Sequence, residues 1–183
     1  MKYAITAITL AILMISGPMA SASNITTEMI KATFLEKIAN FIEWPDSTLE
    51  KDSSNAFIIG VVGENIFGDL LDELYKDRKI KNEKTKIMYF PTAASIGRCN
   101  ILFISKSETK HLKEILDIAG EYNALTVGDT NGFGDKGVLV NFYNHGNKVS
   151  FEINECALKN SKLIFSHHLY SVAKIIHCEE KHE

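Results

Sequence analysis

Apolar and polar positions along this chain follow two periods, one helical and one extended. Residues 26–43 carry apolar side chains at helical spacing, which predicts an amphipathic helix. These apolar positions are Ile30, Phe34, Leu35, Ile38, Phe41 and Ile42. Pro45 ends this helix, because the residue before a proline is pushed out of helical geometry. The run AFIIGVV at 56–62 has no polar face, which is typical of a strand covered on both sides.

The rest of the chain alternates between the two periods. The turn Gly63–Gly68 leads into a second helix, whose apolar side is Phe67, Leu70, Leu71 and Leu74. Strands are predicted at 86–90, 101–105 and 124–127, with a helix near 108–119. Two apolar stretches, 138–143 and 148–154, are joined by NHGN and predict a β-hairpin. Helices are predicted at 155–160 and at 167–176.

This order predicts an α/β fold: a single domain with a mixed β-sheet flanked by helices, and with a C-terminal β-hairpin and helices. The first 22 residues stand outside that domain. Lys2, the apolar run from Ala4 to Ile15 and the A-x-A site at Ala20–Ala22 predict a secretory signal peptide over residues 1–22. The alternative, a retained anchor, is less favoured because the apolar run is short for a membrane span. The α/β domain is then residues 23–183, and it is expected to be exported from the cytoplasm.

Composition narrows the functional classes. The formal net charge is -3, and the chain has no cluster of Lys and Arg, which argues against nucleic-acid binding. The three cysteines permit one disulfide at most. Cys99 opens a strand and is interpreted as a buried small hydrophobe. Whether Cys156 and Cys178 form a disulfide stays open, because the sequence does not show their distance.

Three glycines raise the question of nucleotide binding. Gly132, Gly134 and Gly137 match the dinucleotide-binding spacing G-x-G-x-x-G. A working site of that kind needs a helix directly after the glycines, whereas here a strand is predicted to follow. We therefore interpret the stretch as a loop. The turn 63–68 does link a strand to a helix, but it lacks the lysine and the Ser/Thr of a phosphate loop, so it is interpreted as a plain connection.

The chain offers no recognisable catalytic or metal-binding motif. His167 and His168 follow Ser166, but there is no G-x-S-x-G elbow around this serine. The tail 177–183 carries His, Cys and Glu residues that could bind a metal, but a chain terminus does not hold ligands in a fixed geometry. We expect no catalytic, cofactor-binding or metal-binding residues, and no enzymatic activity.

Six phrases in order resemble the YfiR-like family of exported bacterial proteins, over essentially the whole mature chain. They are KATFLEKIANFIEWP (31–45), IIGVVGENIFGDLL (58–71), CNILFIS (99–105), LTVGDTNGFGDKGVLVNF (125–142), NKVSFEIN (147–154) and LYSVAKII (169–176). The resemblance implies a non-enzymatic periplasmic repressor that binds the periplasmic domain of a membrane-bound diguanylate cyclase and so tunes cyclic di-GMP signalling and biofilm behaviour. It also implies an OmpA-like outer-membrane lipoprotein as a second partner, and a homodimer.

The chain departs from the best-studied members of that family in one respect. They carry a disulfide that clasps the loop and hairpin after the glycine-phenylalanine pair, whereas residues 134–141 of this chain contain no cysteine. An alternative function is an exported small-ligand sensor, or a binding module for another membrane receptor. The sequence does not separate these two functions.

A partner surface is predicted in the C-terminal third. The hairpin 138–153 comes last among the predicted strands, so one of its strands is expected at a sheet edge. The segment after it, 157–165, offers Leu158, Leu163 and Phe165 as an exposed apolar patch beside a polar turn. The alternative is that these three side chains pack the last helices on the sheet. Trp44, the only tryptophan, is a further partner-binding candidate, although packing at the helix end is favoured for it.

Overall fold

The computed structural model describes residues 26–45, 56–146 and 148–178, so the predicted signal peptide 1–22 lies outside the described residues. Within these ranges the chain forms five α-helices: α1 (Thr27–Asn40), α2 (Leu70–Tyr75), α3 (Leu112–Glu121), α4 (Glu155–Lys159) and α5 (His167–Val172). The strands in the same ranges are β1 (Ile42–Glu43), β2 (Ala56–Val62), β3 (Lys79–Ile80), β4 (Glu83–Phe90), β5 (Ile101–Ile104), β6 (Leu125–Gly128), β7 (Val140–His145), β8 (Lys148–Asn154), β9 (Ile164–Phe165) and β10 (Lys174–Ile176).

Eight of these strands form one mixed sheet in the order β10-β8-β7-β6-β5-β2-β4-β3. The pairs from β4 through β2, β5 and β6 to β7 are parallel, while β7 pairs with β8 and β3 pairs with β4 in antiparallel fashion. Strands β1 and β9 form a second, two-stranded antiparallel sheet. The predicted fold class, a mixed sheet flanked by helices with a C-terminal hairpin and helices, is confirmed.

The apolar run 56–62 is explained by the two faces of the sheet. Along β2, Ile59 and Val61 pack into a core cluster with α1 and α2, while Ile58 and Val62 pack into a second cluster with α3. The side chains of a strand alternate between the two faces of its sheet, so a strand with a core on both sides needs an apolar residue at every position. Strand β5 repeats the pattern.

The end of the chain corrects two predictions. The predicted helix 167–176 is wrong in its second half, because α5 ends at Val172 and Ala173 turns to extended geometry. Residues Lys174–Ile176 then pair in parallel with β8, where the β-branched side chains of Ile175 and Ile176 suit a strand. The expectation that a hairpin strand lies at the sheet edge is therefore wrong as well, since β8 is covered by β10.

Candidate functional site

The glycine-phenylalanine loop joins β6 to β7, as the sequence predicts. Phe133 is fully buried and holds the loop in the core, and its carbonyl accepts a hydrogen bond from the Val138 amide at 3.1 Å. Residues 130–137 form turns, and the chain then enters β7 without a helix. A pyrophosphate therefore meets no helix N-terminus after these glycines.

A cluster of buried polar side chains fixes this loop to the neighbouring strands. The Asn141 side-chain amide donates to the Thr130 carbonyl at 3.1 Å and to Glu152 Oε1 at 3.0 Å. The Asn154 side-chain amide also donates a hydrogen bond, to the Gly134 carbonyl at 2.6 Å. A Cβ atom at Gly134 would lie 2.6 Å from Glu152 Oε1, so any larger residue here would have to displace the hydrogen-bonded Glu152 side chain. Buried polar groups need hydrogen-bond partners, and here those partners join the loop to β7 and β8. We therefore interpret the cluster as a structural one that holds the loop in place.

The last strand is attached to β8 and α4 residue by residue. Lys174 pairs with Glu152 both in the strand register and through its ammonium group, 3.0 Å from Glu152 Oε2. This hydrogen bond raises the pKa of Lys174. His177 contacts Glu155 at 3.1 Å and lowers the pKa of that carboxyl group.

The next pair of residues, Cys156 and Cys178, completes this attachment. The sequence alone left open whether these two cysteines are bonded. Cys156 and Cys178 form a disulfide, with a sequence separation of 22. Residues 174–178 thus run beside residues 152–156 at one constant offset. The remaining cysteine, Cys99, is free and buried as expected, and burial raises the pKa of its thiol to about 12.

The order of the parallel strands changes direction between β2 and β5, and ligands of open α/β sheets bind in the crevice at such a point. Here, side chains of the chain itself fill that crevice. The Ser107 hydroxyl accepts a hydrogen bond from the Glu64 amide at 3.0 Å, and a Cβ at Gly63 would lie 2.9 Å from Glu108 Oε1. The carboxylate of Glu108 would also repel an anion, which supports the interpretation of 63–68 as a plain connection.

Two groupings near these elements resemble catalytic sites only in residue type. Glu108 lies between Ser107 (3.2 Å) and His111 (3.2 Å), so no serine-to-histidine hydrogen bond is present there. The Ser166 hydroxyl is buried and has no partner among the described atoms, while the neighbouring His167 is exposed. A catalytic serine of the triad type needs a histidine within hydrogen-bond reach, and neither Ser107 nor Ser166 has one.

The described ranges hold neither a metal-ligand cluster nor a membrane-spanning helix. They contain no group of three or more His, Cys, Asp or Glu side chains able to hold a metal ion. Of the tail residues considered as ligands, His177 and Cys178 are engaged as described, and residues 179–183 lie outside the described chain. None of the helices described here is long and apolar enough to span a bilayer.

The predicted partner residues lie mostly inside the protein. Leu158, Leu163 and Phe165 are exposed by only 9%, 5% and 8%, so the expectation that they form an exposed patch is wrong. They belong to the core cluster beneath α1, which is the packing alternative. Trp44 is half-buried and packs edge-on against Phe57 at 5.5 Å. Their contact with a partner stays a prediction.

The segment nevertheless carries an exposed apolar residue, on the opposite side of its strand. Ile164 is 64% exposed, between the buried Leu163 and Phe165. It lies close to Phe41 (43% exposed), because β9 pairs with β1 directly after Phe41. The exposed Val172 follows one turn after His168, whose ring lies 6.3 Å from that of Phe41. We call Phe41, Ile164, His168 and Val172 the apolar face.

A hollow of about 400 Å³ lies between α3 and the turn after α4. Its wall includes Leu116, Thr126 and Leu163, with Asp117 and Lys162 among its charged residues. The Thr126 hydroxyl accepts a hydrogen bond from the Leu139 amide at 2.9 Å. Its volume falls in the range of small-molecule sites.

Comparison with known proteins gives a family and a fold. A family model described as YfiR/HmsC-like matches residues 28–174. No curated protein matches the chain. Among solved structures, a conserved domain protein from Vibrio cholerae O1 biovar eltor is similar, with a TM-score of 0.55 at 10% identity, covering 79% of this chain and 59% of its own.

A second solved structure is the ABC domain in complex with L-Trp from Streptococcus pneumonia, with a TM-score of 0.53 at 7% identity, covering 77% of this chain and 61% of its own. This chain thus spans about three fifths of the length of these two solved proteins. At such low identity the two likenesses concern the fold alone.

Proposed function

Because this chain belongs to the YfiR/HmsC-like family, we propose that it inhibits a membrane-bound diguanylate cyclase by direct contact with the cyclase's periplasmic domain. Members of this family are periplasmic regulators that act through protein partners, and they are not catalysts. Inhibition would lower cyclic di-GMP and with it biofilm formation. The match over residues 28–174 is the observation that carries this proposal.

The geometry supports regulation by contact over regulation by a bound nucleotide. The crevice at the change of strand order is filled by Ser107 and Glu108, and the glycine loop leads into a strand. The apolar face, by contrast, is open to solvent. Exposed apolar groups beside polar ones are the usual composition of a protein interface.

Two further partners belong to the proposal. An OmpA-like outer-membrane lipoprotein would bind the protein and so release the cyclase, and a second copy of the chain would form a homodimer. Export would proceed through cleavage of residues 1–22. Mass spectrometry of the native protein should then give an N-terminus at Ser23, and an intact Met1 in a cytoplasmic fraction would contradict export.

The central test is a deletion of the gene in its own host. We expect cyclic di-GMP to rise in the deletion strain and to return to its original level on complementation. The tagged mature protein should retain the responsible cyclase from detergent-solubilised membranes. An unchanged cyclic di-GMP level in the deletion strain would contradict the proposal.

A non-enzymatic regulator should tolerate the loss of a histidine near the C-terminus. We expect His182→Ala, which leaves the residues of the apolar face and its rim unchanged, to complement the deletion, provided that the variant folds. Loss of repression with unchanged folding would indicate that catalysis or metal binding is required.

The hollow beside α3 favours a second candidate function, an exported small-ligand sensor. Its two charged wall residues and its volume would suit a small polar molecule. A ligand present at 100 times its dissociation constant would stabilise the fold by about 2.7 kcal/mol. A thermal-shift screen of periplasmic metabolites tests this function, and Ala157→Trp, which narrows the hollow, should remove any shift.

A further inference from the structure

Most of the exposed large hydrophobic side chains that the structure describes lie in one part of the surface. Among the described residues, four large hydrophobic side chains are exposed, and Phe41, Ile164 and Val172 are three of them. The fourth, Tyr89, lies elsewhere and donates a hydrogen bond to Asp72 at 2.6 Å. Scattered exposed hydrophobic residues are normal on protein surfaces, but a group of them marks an interaction site.

The strand register explains why these residues meet. Glu43 lies opposite Ile164, and Phe41 lies opposite Ser166, whose amide donates to the Phe41 carbonyl at 2.9 Å. Positions opposite each other, and positions two residues apart, share one face of a sheet. Ile164 therefore lies on the outer side of the two-stranded sheet, near the exposed Phe41 that directly precedes β1, while Ile42 and Phe165 fill the inner side.

The rim of the apolar face is basic. Lys37 lies one helical turn before Phe41, and the exposed Lys162 lies two residues before Ile164 along the chain. Neither lysine forms an ion pair with any residue in the described ranges. His167 and His168 add two exposed imidazole rings, and among the described residues Glu43, opposite Ile164, adds a carboxylate.

We propose that the apolar face is the docking surface for an acidic patch with an apolar centre on the periplasmic domain of the cyclase. This inference rests on the proposed function and names the chemistry of its partner. Lysines that form no ion pair within their own chain are free to pair with acidic groups of another protein. Such charge complementarity speeds the association of the two proteins and fixes their relative orientation. A second copy fits this face less well, because a two-fold interface would bring the same basic rim against itself.

The test uses the full mature protein and the purified periplasmic domain of the cyclase whose output changes when the gene is deleted. Ile164→Glu and Phe41→Ser should each weaken binding by about 30-fold or more, as for a central interface residue. Ile164→Glu should leave the melting temperature nearly unchanged because Ile164 is 64% exposed, and Phe41→Ser should lower it only modestly because Phe41 is 43% exposed. Tyr89→Ser is the matched control, because it removes an exposed aromatic ring elsewhere and should leave binding unchanged.

The neighbouring residue separates docking from folding. Leu163→Glu places a carboxylate in the core and should lower the melting temperature strongly, whereas Ile164→Glu, one position on, should not. If Ile164→Glu does unfold the protein, binding is measured with Val172→Glu instead, because Val172 is 70% exposed.

The charge of the rim is tested on its own. The double variant Lys37→Glu/Lys162→Glu should slow association and should weaken its dependence on salt. Unchanged or faster association would overturn the acidic character of the partner patch.

The outcomes of the deletion and of the binding experiments distinguish this inference from the proposed function on which it rests. If deletion leaves cyclic di-GMP unchanged, the proposed function fails, and the inference with it. If deletion changes cyclic di-GMP but Ile164→Glu and Phe41→Ser bind and repress like the natural protein, only the inference fails. If these variants convert a dimer to a monomer in sedimentation and still bind the cyclase, the face belongs to a second copy, which also overturns the inference.

Discussion

The parallel half of the sheet and the C-terminal part are held together by different interactions. In β2, β5 and β6 nearly every side chain is apolar and buried, and the two core clusters meet across these strands. From β7 onward the contacts include the Asn141–Glu152 hydrogen bond, the Lys174–Glu152 ion pair and the Cys156–Cys178 disulfide. One region thus depends on burial, and the other also depends on specific bonds between distant residues.

The two regions should therefore respond differently to substitution. Burial is roughly additive and tolerates apolar exchange, whereas a buried polar cluster fails when one member is lost. The apolar face lies partly on β9 and α5, within the specifically bonded region. Four substitution experiments test whether the two regions differ in this way, beginning with the largest expected effect.

Phe103→Ala tests the buried half. The Phe103 side chain is fully buried in β5, so its loss should lower the free energy of unfolding by about 3–5 kcal/mol through lost burial and a residual cavity. Chemical denaturation measures this change. A reducing agent should leave the size of the effect unaltered, and an effect below about 1 kcal/mol would contradict the burial account.

Replacing both Cys156 and Cys178 by serine tests the bonded region. The disulfide closes a segment with a sequence separation of 22, so its loss should cost about 3 kcal/mol, chiefly by freeing the unfolded chain. Hydrogen exchange should show faster opening of β8 and β10, while the amides of β2 and β5 follow only the global change. If local opening, measured by amide hydrogen exchange, became faster by the same factor in β2 and β5 as in β8 and β10, the two regions would not differ in what stabilises them.

Gly134→Ala tests the packing of the loop on the polar cluster. The new methyl group would lie 2.6 Å from Glu152 Oε1 and from Ile176 Cδ1, so the neighbours must shift, at a cost of about 2 kcal/mol. Gly120→Ala is the control, because nothing lies within 4 Å of a Cβ at this position in α3. It should be neutral or stabilising by up to about 1 kcal/mol.

Lys174→Met tests the ion pair at the sheet edge. Glu152 would keep its bond from Asn141 but lose its cation. Lys174 is 61% exposed, so water replaces part of the interaction and the expected loss is only about 1 kcal/mol. Lys113→Met, at an exposed i,i+4 pair in α3, should change thermal unfolding by less than half of that.

The sequence predicted the buried half well. Strand β2 begins and ends where the apolar run does, and the helix predicted near 108–119 corresponds to α3 with the short 3-10 helix before it. Uninterrupted apolar runs between turns indicate a strand with cores on both faces, and this signal is local.

The bonded region was harder to predict, because its structure depends on residues far apart in the sequence. The pattern of residues 167–176 suits a helix, but a parallel partner, β8, makes its last part a strand. Likewise, Leu163, Ile164 and Phe165 are all apolar, so composition could not tell which would face solvent. The pairing of β9 with β1, some 120 residues earlier in the chain, decides that Ile164 does.

The apolar face has one more property, which follows from the disulfide between Cys156 and Cys178. Ile164, His168 and Val172 all belong to a covalently closed ring of the chain, whose ends are joined by that bond. A protease that cuts once inside this ring leaves both fragments attached, so the cut protein runs as one band without a reductant and as two bands with it. In the protease-rich space outside the cytoplasmic membrane, such a ring keeps the contact residues linked to the sheet after a single cut.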